Sequence, residues 1–149
     1  MNESLSSQFQ RSKGAPIQVM GHNVNQIFHT EVEGNRQDFL IRRVSAKSSP
    51  VPGLRIKAAN GEIEVNGQRH SEIILWADTS PELVEIAVLS KSGCELKIWN
   101  VWRSNDVANA WVGNAGLLIS NKDGVTTLEC SDGVGDVDFS SLVAQIQEA

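Results

Sequence analysis

Four tryptophans in a chain without tyrosine are the residues whose chemistry most suggests a ligand: Trp76, Trp99, Trp102 and Trp111. An exposed indole ring can stack on the apolar face of a sugar ring while its N–H donates a hydrogen bond. If Leu96 and Ile98 point into the core, the alternation of side chains along a strand turns Trp99 outward. Arg103 then lies on the same outer face, and Trp102 points inward. An outward Trp99 beside Arg103 is a candidate ligand anchor, and packing of these tryptophans in the core is the alternative.

The segment from Trp99 to Gly116 is also rich in asparagine and glycine. Each asparagine amide offers two N–H donors and one oxygen acceptor, which suits recognition of a polar ligand. Asparagine and glycine are also common in turns, so turn formation is the alternative explanation of the same segment. The candidate ligand-binding residues of this Trp/Asn-rich edge are Trp99, Asn100, Arg103, Trp111 and Asn114.

A second cluster, from Ser131 to Phe139, contains the closely spaced carboxylates Asp132, Asp136 and Asp138 between glycines. Calcium takes oxygen ligands from carboxylates and carbonyls, and a glycine-rich loop lets such groups converge. The order of residues is not that of an EF-hand. The three aspartates are therefore candidate ligands of a calcium-type site, and a role in turns and at a strand edge is the alternative.

The stretch from Asp136 to Val143, which is DVDFSSLV, resembles the opening of the last strand in some calcium-associated bacterial β-sandwich domains. The resemblance covers eight residues and implies a strand near the end of the chain beside a cation site. Ser141 stands where that pattern has an aspartate, so one strong ligand is missing.

Catalytic templates are absent from the sequence. The histidines His22, His29 and His70 lie in no zinc-protease or deaminase motif, and neither a nucleophile elbow nor a phosphate-binding loop is present. No catalytic residue is predicted. A small hydrolase whose site is assembled from distant loops remains an alternative. The sequence therefore leaves enzymatic activity open but favours a protein that is not an enzyme.

The elements that must position these residues are short strands separated by turns, from Ala15 to the end of the chain. The Asn60-Gly61 and Asn66-Gly67 pairs predict tight hairpins, which would join 54–58, 62–65 and 71–77 into a three-stranded meander. At least eight strands are expected. We therefore predict an all-β fold, an antiparallel β-sandwich of jelly-roll or Greek-key type, in a single domain of residues 15–149.

The two ends of the chain are harder to assign. The polar residues 1–14 show no sustained period and are predicted to form a flexible tail. Near the other end, Phe139, Leu142, Val143 and Ile146 fit one face of a helix with Asp138 as its N-cap, whereas period two fits a strand. The all-β context favours the strand, and a short C-terminal helix remains the alternative.

Composition bounds the partners and the location. The chain has 149 residues and a net charge of −5, which argues against nucleic acid as a partner. No stretch approaches the ~20 apolar residues of a membrane helix and no secretory signal is visible, so no membrane association and a cytoplasmic location are expected. Cys94 and Cys130 are far apart in sequence, and whether they pair is left open.

The charges are unevenly distributed along the sequence. Residues 1–57 have eight basic against four acidic residues, and residues 58–149 have five against fourteen. The leading hypothesis is a non-enzymatic binding module that recognises a carbohydrate-like or protein ligand through the Trp/Asn-rich edge, with calcium as the only candidate cofactor. The first alternative is a cytoplasmic protein-interaction factor, such as an immunity or regulatory protein, that uses an acidic surface. The second is the small hydrolase.

Overall fold

The computed structural model describes residues 3–149, in which strands dominate and one short helix is present. The elements in chain order are α1 (Leu5–Ser12), β1 (Ile17–Val19), β2 (His22–Val24), β3 (Phe28–Val32), β4 (Arg36–Ala46), β5 (Val51–Ala59), β6 (Glu62–Val65), β7 (Gln68–His70), β8 (Glu72–Trp76), β9 (Leu83–Leu89), β10 (Cys94–Ser104), β11 (Val107–Asn109), β12 (Gly116–Lys122), β13 (Val125–Ser131) and β14 (Leu142–Glu148). The predicted all-β class is confirmed.

Two antiparallel sheets form a sandwich. A five-stranded sheet has the order β11-β10-β5-β8, and β3 also pairs with β10. A seven-stranded sheet has the order β12-β13-β14-β4-β9-β6-β7, and β1 and β2 form a separate hairpin. The core lies between the two large sheets, where Ile56 and Leu96 of one sheet and Ile86 and Leu128 of the other are almost fully buried.

The alternation of side chains along β10 follows the prediction from sequence. Leu96 and Ile98 are completely buried in the core, and Asn100 shares their face. Trp99 lies on the opposite, outer face of the five-stranded sheet together with Arg103. Trp99 and Trp102 are nevertheless only 7% and 3% exposed and count among the buried core residues, which is the alternative predicted for these tryptophans.

The N-terminal segment departs from the predicted flexible tail of residues 1–14. Residues 1–2 lie outside the described residues, but the next residues form α1, with Ser4 as N-cap accepting a hydrogen bond of 3.2 Å from the Ser7 N–H. Leu5 and Phe9, four residues apart on one helix face, are buried against Ile17. Because burial of these two side chains orders a helix whose other face is polar, polarity alone was a misleading guide here.

Within the described part of the chain, no helix is long and apolar enough to span a membrane.

The C-terminal segment is a strand and not a helix. Strand β14 pairs with β13 on one side and β4 on the other, which makes it a central strand of the seven-stranded sheet. Leu142, Ala144 and Ile146 face the core with period two. Phe139 completes the helical spacing seen in the sequence. It packs not in the main core but in a second apolar cluster, which contains Leu5 and Phe9 of α1.

The predicted three-stranded meander does not form, because its third strand, 71–77, corresponds to β8, which pairs with β5 in the other sheet and not with β6. The Asn66-Gly67 turn does join β6 to β7, with positive φ angles of 52° and 74°. At Asn60-Gly61 the chain instead passes from one sheet to the other, so that β6 pairs with β9, and β5 pairs with β8 and β10. Gly61 is required there by close packing, since a Cβ atom would lie 2.7 Å from the Leu89 carbonyl oxygen.

Candidate functional site

A pair of stacked tryptophans lies on the outer face of the five-stranded sheet. The ring centroids of Trp99 and Trp111 are 5.0 Å apart and their planes make an angle of 29°. Trp99 is 7% exposed, whereas Trp111 is 40% exposed. The Trp111 indole N–H donates a hydrogen bond of 3.4 Å to the carbonyl of Gln26. Trp99 thus packs against one face of the Trp111 ring, and part of the Trp111 ring stays open to solvent.

The backbone of Trp111 is strained. Its φ angle is +60°, in the left-handed region that bulky residues rarely adopt. Such a conformation costs about 1–2 kcal/mol and persists only where the surroundings impose it. Here the next residues are held in place, because the Gly113 carbonyl accepts a hydrogen bond of 2.9 Å from the Ser6 N–H.

An ion pair flanks the tryptophan stack. The Arg55 guanidinium carbon is 5.9 Å from the Trp99 ring centroid. Arg55 binds Glu72 in a bidentate manner, with Nε–Oε2 and Nη2–Oε1 distances of 3.1 and 3.0 Å. The hydrogen bond from Arg55 holds the pKa of Glu72 below its usual value. The carboxylate therefore stays charged and fixes the orientation of the guanidinium.

A second tryptophan–arginine pair joins Trp76 on β8 to Arg103 on β10. The Trp76 ring packs on Gly53, where a Cβ atom would come within 2.7 Å of a ring carbon. The Arg103 guanidinium carbon is 5.0 Å from the Trp76 ring centroid, and Arg103 forms an ion pair with Asp78. Sequence reasoning did not place Trp76 or Arg55 in the site. The signal available for Trp76 was Gly53, because a glycine inside a strand often accommodates an aromatic side chain of a neighbouring strand.

We call this surface the Trp face and define it by its residues Arg55, Trp76, Trp99, Arg103 and Trp111. Its two arginines are each paired with a carboxylate, so the local charges balance. Chemically, the Trp face offers one open aromatic ring beside two guanidinium–carboxylate pairs, and the Trp111 indole N–H is already bonded to Gln26. Such a combination suits an uncharged ligand with an apolar face and hydroxyl groups.

The two asparagines of the predicted site are not on the Trp face. Asn100 is 3% exposed and its amide donates a hydrogen bond of 2.9 Å to the Ser131 carbonyl. Asn114 accepts a hydrogen bond of 3.2 Å from the Leu5 N–H and donates one of 2.8 Å to the Gly135 carbonyl. Both amides therefore join elements of the fold. The predicted set is split, since the structure brings together Trp99, Arg103 and Trp111 only.

The three aspartates of the predicted calcium site have different surroundings. The Asp132 side chain is 3% exposed, with Oδ2 2.5 Å from the Lys47 ammonium nitrogen and Oδ1 accepting a hydrogen bond from the Val134 N–H. Asp138 accepts hydrogen bonds from the hydroxyl and the N–H of Ser140, which hold the pKa of its carboxyl below the usual value. Asp136 is exposed. In residues 3–149 the structure groups no three His, Cys, Asp or Glu side chains as a metal site.

The remaining reactive side chains are spread over the fold. His22, His29 and His70 lie on β2, β3 and β7, and His29 Nδ1 is 2.6 Å from Glu95 Oε1. Cys94 and Cys130 are both free and buried. Burial raises the pKa of the Cys130 thiol to about 12, so this thiol is not a nucleophile at neutral pH.

Comparison of the chain with protein-family models, with curated proteins and with solved structures yields no match.

Proposed function

We propose that this protein is a non-enzymatic binding module whose Trp face binds a carbohydrate. The observation that supports the proposal is Trp111, a bulky aromatic residue that is 40% exposed, has a left-handed backbone and is supported by the ring of Trp99. Strained residues of this kind are concentrated at binding sites, where the strain fixes the geometry in advance. A rigid aromatic ring loses little entropy on binding.

The charges of the Trp face favour a neutral ligand over a charged one. Arg55 and Arg103 are already neutralised by carboxylates, so a charged ligand would have to compete with Glu72 or Asp78. A sugar ring can stack on Trp111 with its C–H groups, and its hydroxyls can hydrogen-bond to the carboxylates and to the guanidinium N–H groups that the ion pairs leave free. Because stacking is only weakly screened by salt, binding should change little with ionic strength.

A glycan microarray tests the proposal. We expect the wild-type protein to bind a subset of neutral glycans, and the Trp111→Ala variant to lose that binding. Val107→Ala is the matched control, because Val107 is also apolar and 58% exposed but lies on the short edge strand β11. Absence of binding to any glycan, or equal binding by Trp111→Ala and the wild type, would overturn the proposal. In that case the protein-interaction alternative, with its strong dependence on salt, becomes the leading function.

A further inference from the structure

Away from the Trp face, a groove of about 870 Å³ lies between the start of α1, the β1–β2 hairpin and two loops near residues 114 and 136. Its lining includes Leu5, Val19, Met20, Asn114, Asp136 and Val137. We call it the hairpin groove. Its frame is rigid, because the Asn114 amide connects α1 to the loop at Gly135 by hydrogen bonds of 3.2 and 2.8 Å.

Met20 is an unusual residue at the tip of the β1–β2 hairpin. It is 75% exposed and has a φ angle of +49°, and Gly21 follows with a φ of +80°. Positive φ at both central residues defines a turn that prefers Asn-Gly, Asp-Gly or Gly-Gly. Methionine at the first position adds backbone strain and exposes an apolar side chain. The hairpin itself requires neither feature, so the exposed Met20 side chain is available to a partner.

Two carboxylates line the hairpin groove, those of Glu3 and Asp136. Glu3 forms an ion pair with Arg11, whereas Asp136 is exposed and takes part in none of the ion pairs or side-chain hydrogen bonds among residues 3–149. An exposed carboxylate beside apolar side chains is complementary to a basic residue that is adjacent to an apolar one. The flexible thioether of methionine can adapt to apolar side chains of different shapes.

We infer that the hairpin groove binds an extended segment of a protein partner, with a lysine or arginine of that segment paired with Asp136 and an apolar side chain packed on Met20. This goes beyond the proposed carbohydrate binding, because Met20 and Asp136 do not belong to the Trp face, although residues 111–114 border both surfaces. Loss of one activity should leave the other intact.

Selection of a random-peptide phage library on the full-length protein tests the inference. We expect enrichment of peptides in which a basic residue lies close to an apolar one. The affinity of an enriched peptide should fall at least about tenfold in Asp136→Asn and in Met20→Asn, and it should weaken at high salt. Met20→Asn retains the fold, since Asn is favoured at this turn position.

Matched controls lie elsewhere on the surface. Asp123→Asn removes an exposed carboxylate from the β12–β13 turn, and Val44→Asn removes an apolar side chain that is 53% exposed on β4. Both should bind the peptide like the wild type. The inference is overturned if no such peptides are enriched, or if the groove variants bind as well as the controls. It is also overturned if sedimentation shows a dimer that Met20→Asn dissociates, because the occupant would then be a second copy of this chain.

Discussion

Met20 and Trp111 have in common a large apolar side chain, high exposure and a left-handed backbone. At the other left-handed positions that are not glycine, the residue is asparagine, aspartate or lysine: Lys13, Asn60, Asn66, Asn105, Asp106 and Asp123. Asparagine and aspartate tolerate this region because their short side chains bond locally to the backbone. Met20 and Trp111 have no such short polar side chain, so their backbones are strained. Stacking on Trp99 and the hydrogen bond to Gln26 hold Trp111, whereas Met20 is 75% exposed, and each is assigned to one of the two proposed binding surfaces.

Replacement of Met20 by asparagine should stabilise the protein. The expected gain in the free energy of unfolding is about 1 kcal/mol, which for a chain of this length is a rise in Tm of roughly 2–4 °C. Thermal unfolding followed by circular dichroism measures it. Met20→Leu is the control and should show no gain, because leucine has the same backbone penalty. A loss of stability in Met20→Asn would mean that the Met20 side chain supports the fold.

Calcium should not stabilise the protein, because Asp132 is already paired with Lys47 and a cation would have to displace that ammonium group. A site filled at a hundred times its Kd would add about 2.7 kcal/mol, or roughly 5–10 °C in Tm. We expect the Tm in excess calcium to equal that in chelator. A rise of that size would instead establish the cation site that the sequence of residues 132–138 predicts.

At the scale of elements, the sequence predicted those parts in which local pattern and tertiary packing agree. Alternation along β10 placed Trp99 on the face opposite Leu96 and Ile98, but it could not show that Trp99 is buried there, because the stacked Trp111 comes from a loop outside β10. The Asn60-Gly61 turn could not be distinguished from Asn66-Gly67, since the difference depends on which sheet receives the next strand. The positions of Arg55 and Trp76 on the Trp face depend on strand order, which no local pattern contains.

Helix α1 is the element that sequence reasoning missed, and its packing can be tested. Phe9 is 2% exposed, so Phe9→Ala should lower the free energy of unfolding by about 3–5 kcal/mol. Gln10→Ala, on the exposed side of the same helix, should have almost no effect. Urea denaturation of both variants gives the comparison. Equal stability of the two variants would show that α1 does not pack on the sandwich.

At the scale of the whole molecule, the uneven charge of the sequence does not separate into a basic and an acidic half. Two basic residues of the first 57 positions pair with acidic residues of the rest, Arg55 with Glu72 and Lys47 with Asp132, whereas Arg11 and Arg36 pair with Glu3 and Asp38 in the same part of the chain. The fold interleaves the two parts of the chain in both large sheets, because β5 lies beside β8 and β10, and β4 lies between β14 and β9. The charge count of each half therefore says little about the surface potential.

The Arg55–Glu72 ion pair determines the direction in which stability changes with pH. The pKa of Glu72 is lowered in the folded state by Arg55, so the resulting stabilisation is fully present above the usual value of about 4.5. It is lost as the pH falls through the lower folded-state pKa. We expect the Tm to decrease below about pH 4.5, and to decrease less steeply in Glu72→Gln. A Tm that rises on acidification through this range would contradict the pairing.

The central claim is that a neutral ligand stacks on Trp111. Its most direct test is a fluorescence titration of the wild type and of Trp111→Ala with a glycan selected on the microarray. Each titration is done at about 0.1 M and at about 1 M salt, because the Debye length falls from about 10 to about 3 Å between these concentrations. We predict the same Kd for the wild type at both salt concentrations, and a loss of at least about 2 kcal/mol, roughly 30-fold in Kd, in the variant. An unchanged Kd in Trp111→Ala, or a wild-type affinity that collapses at high salt, would contradict the claim.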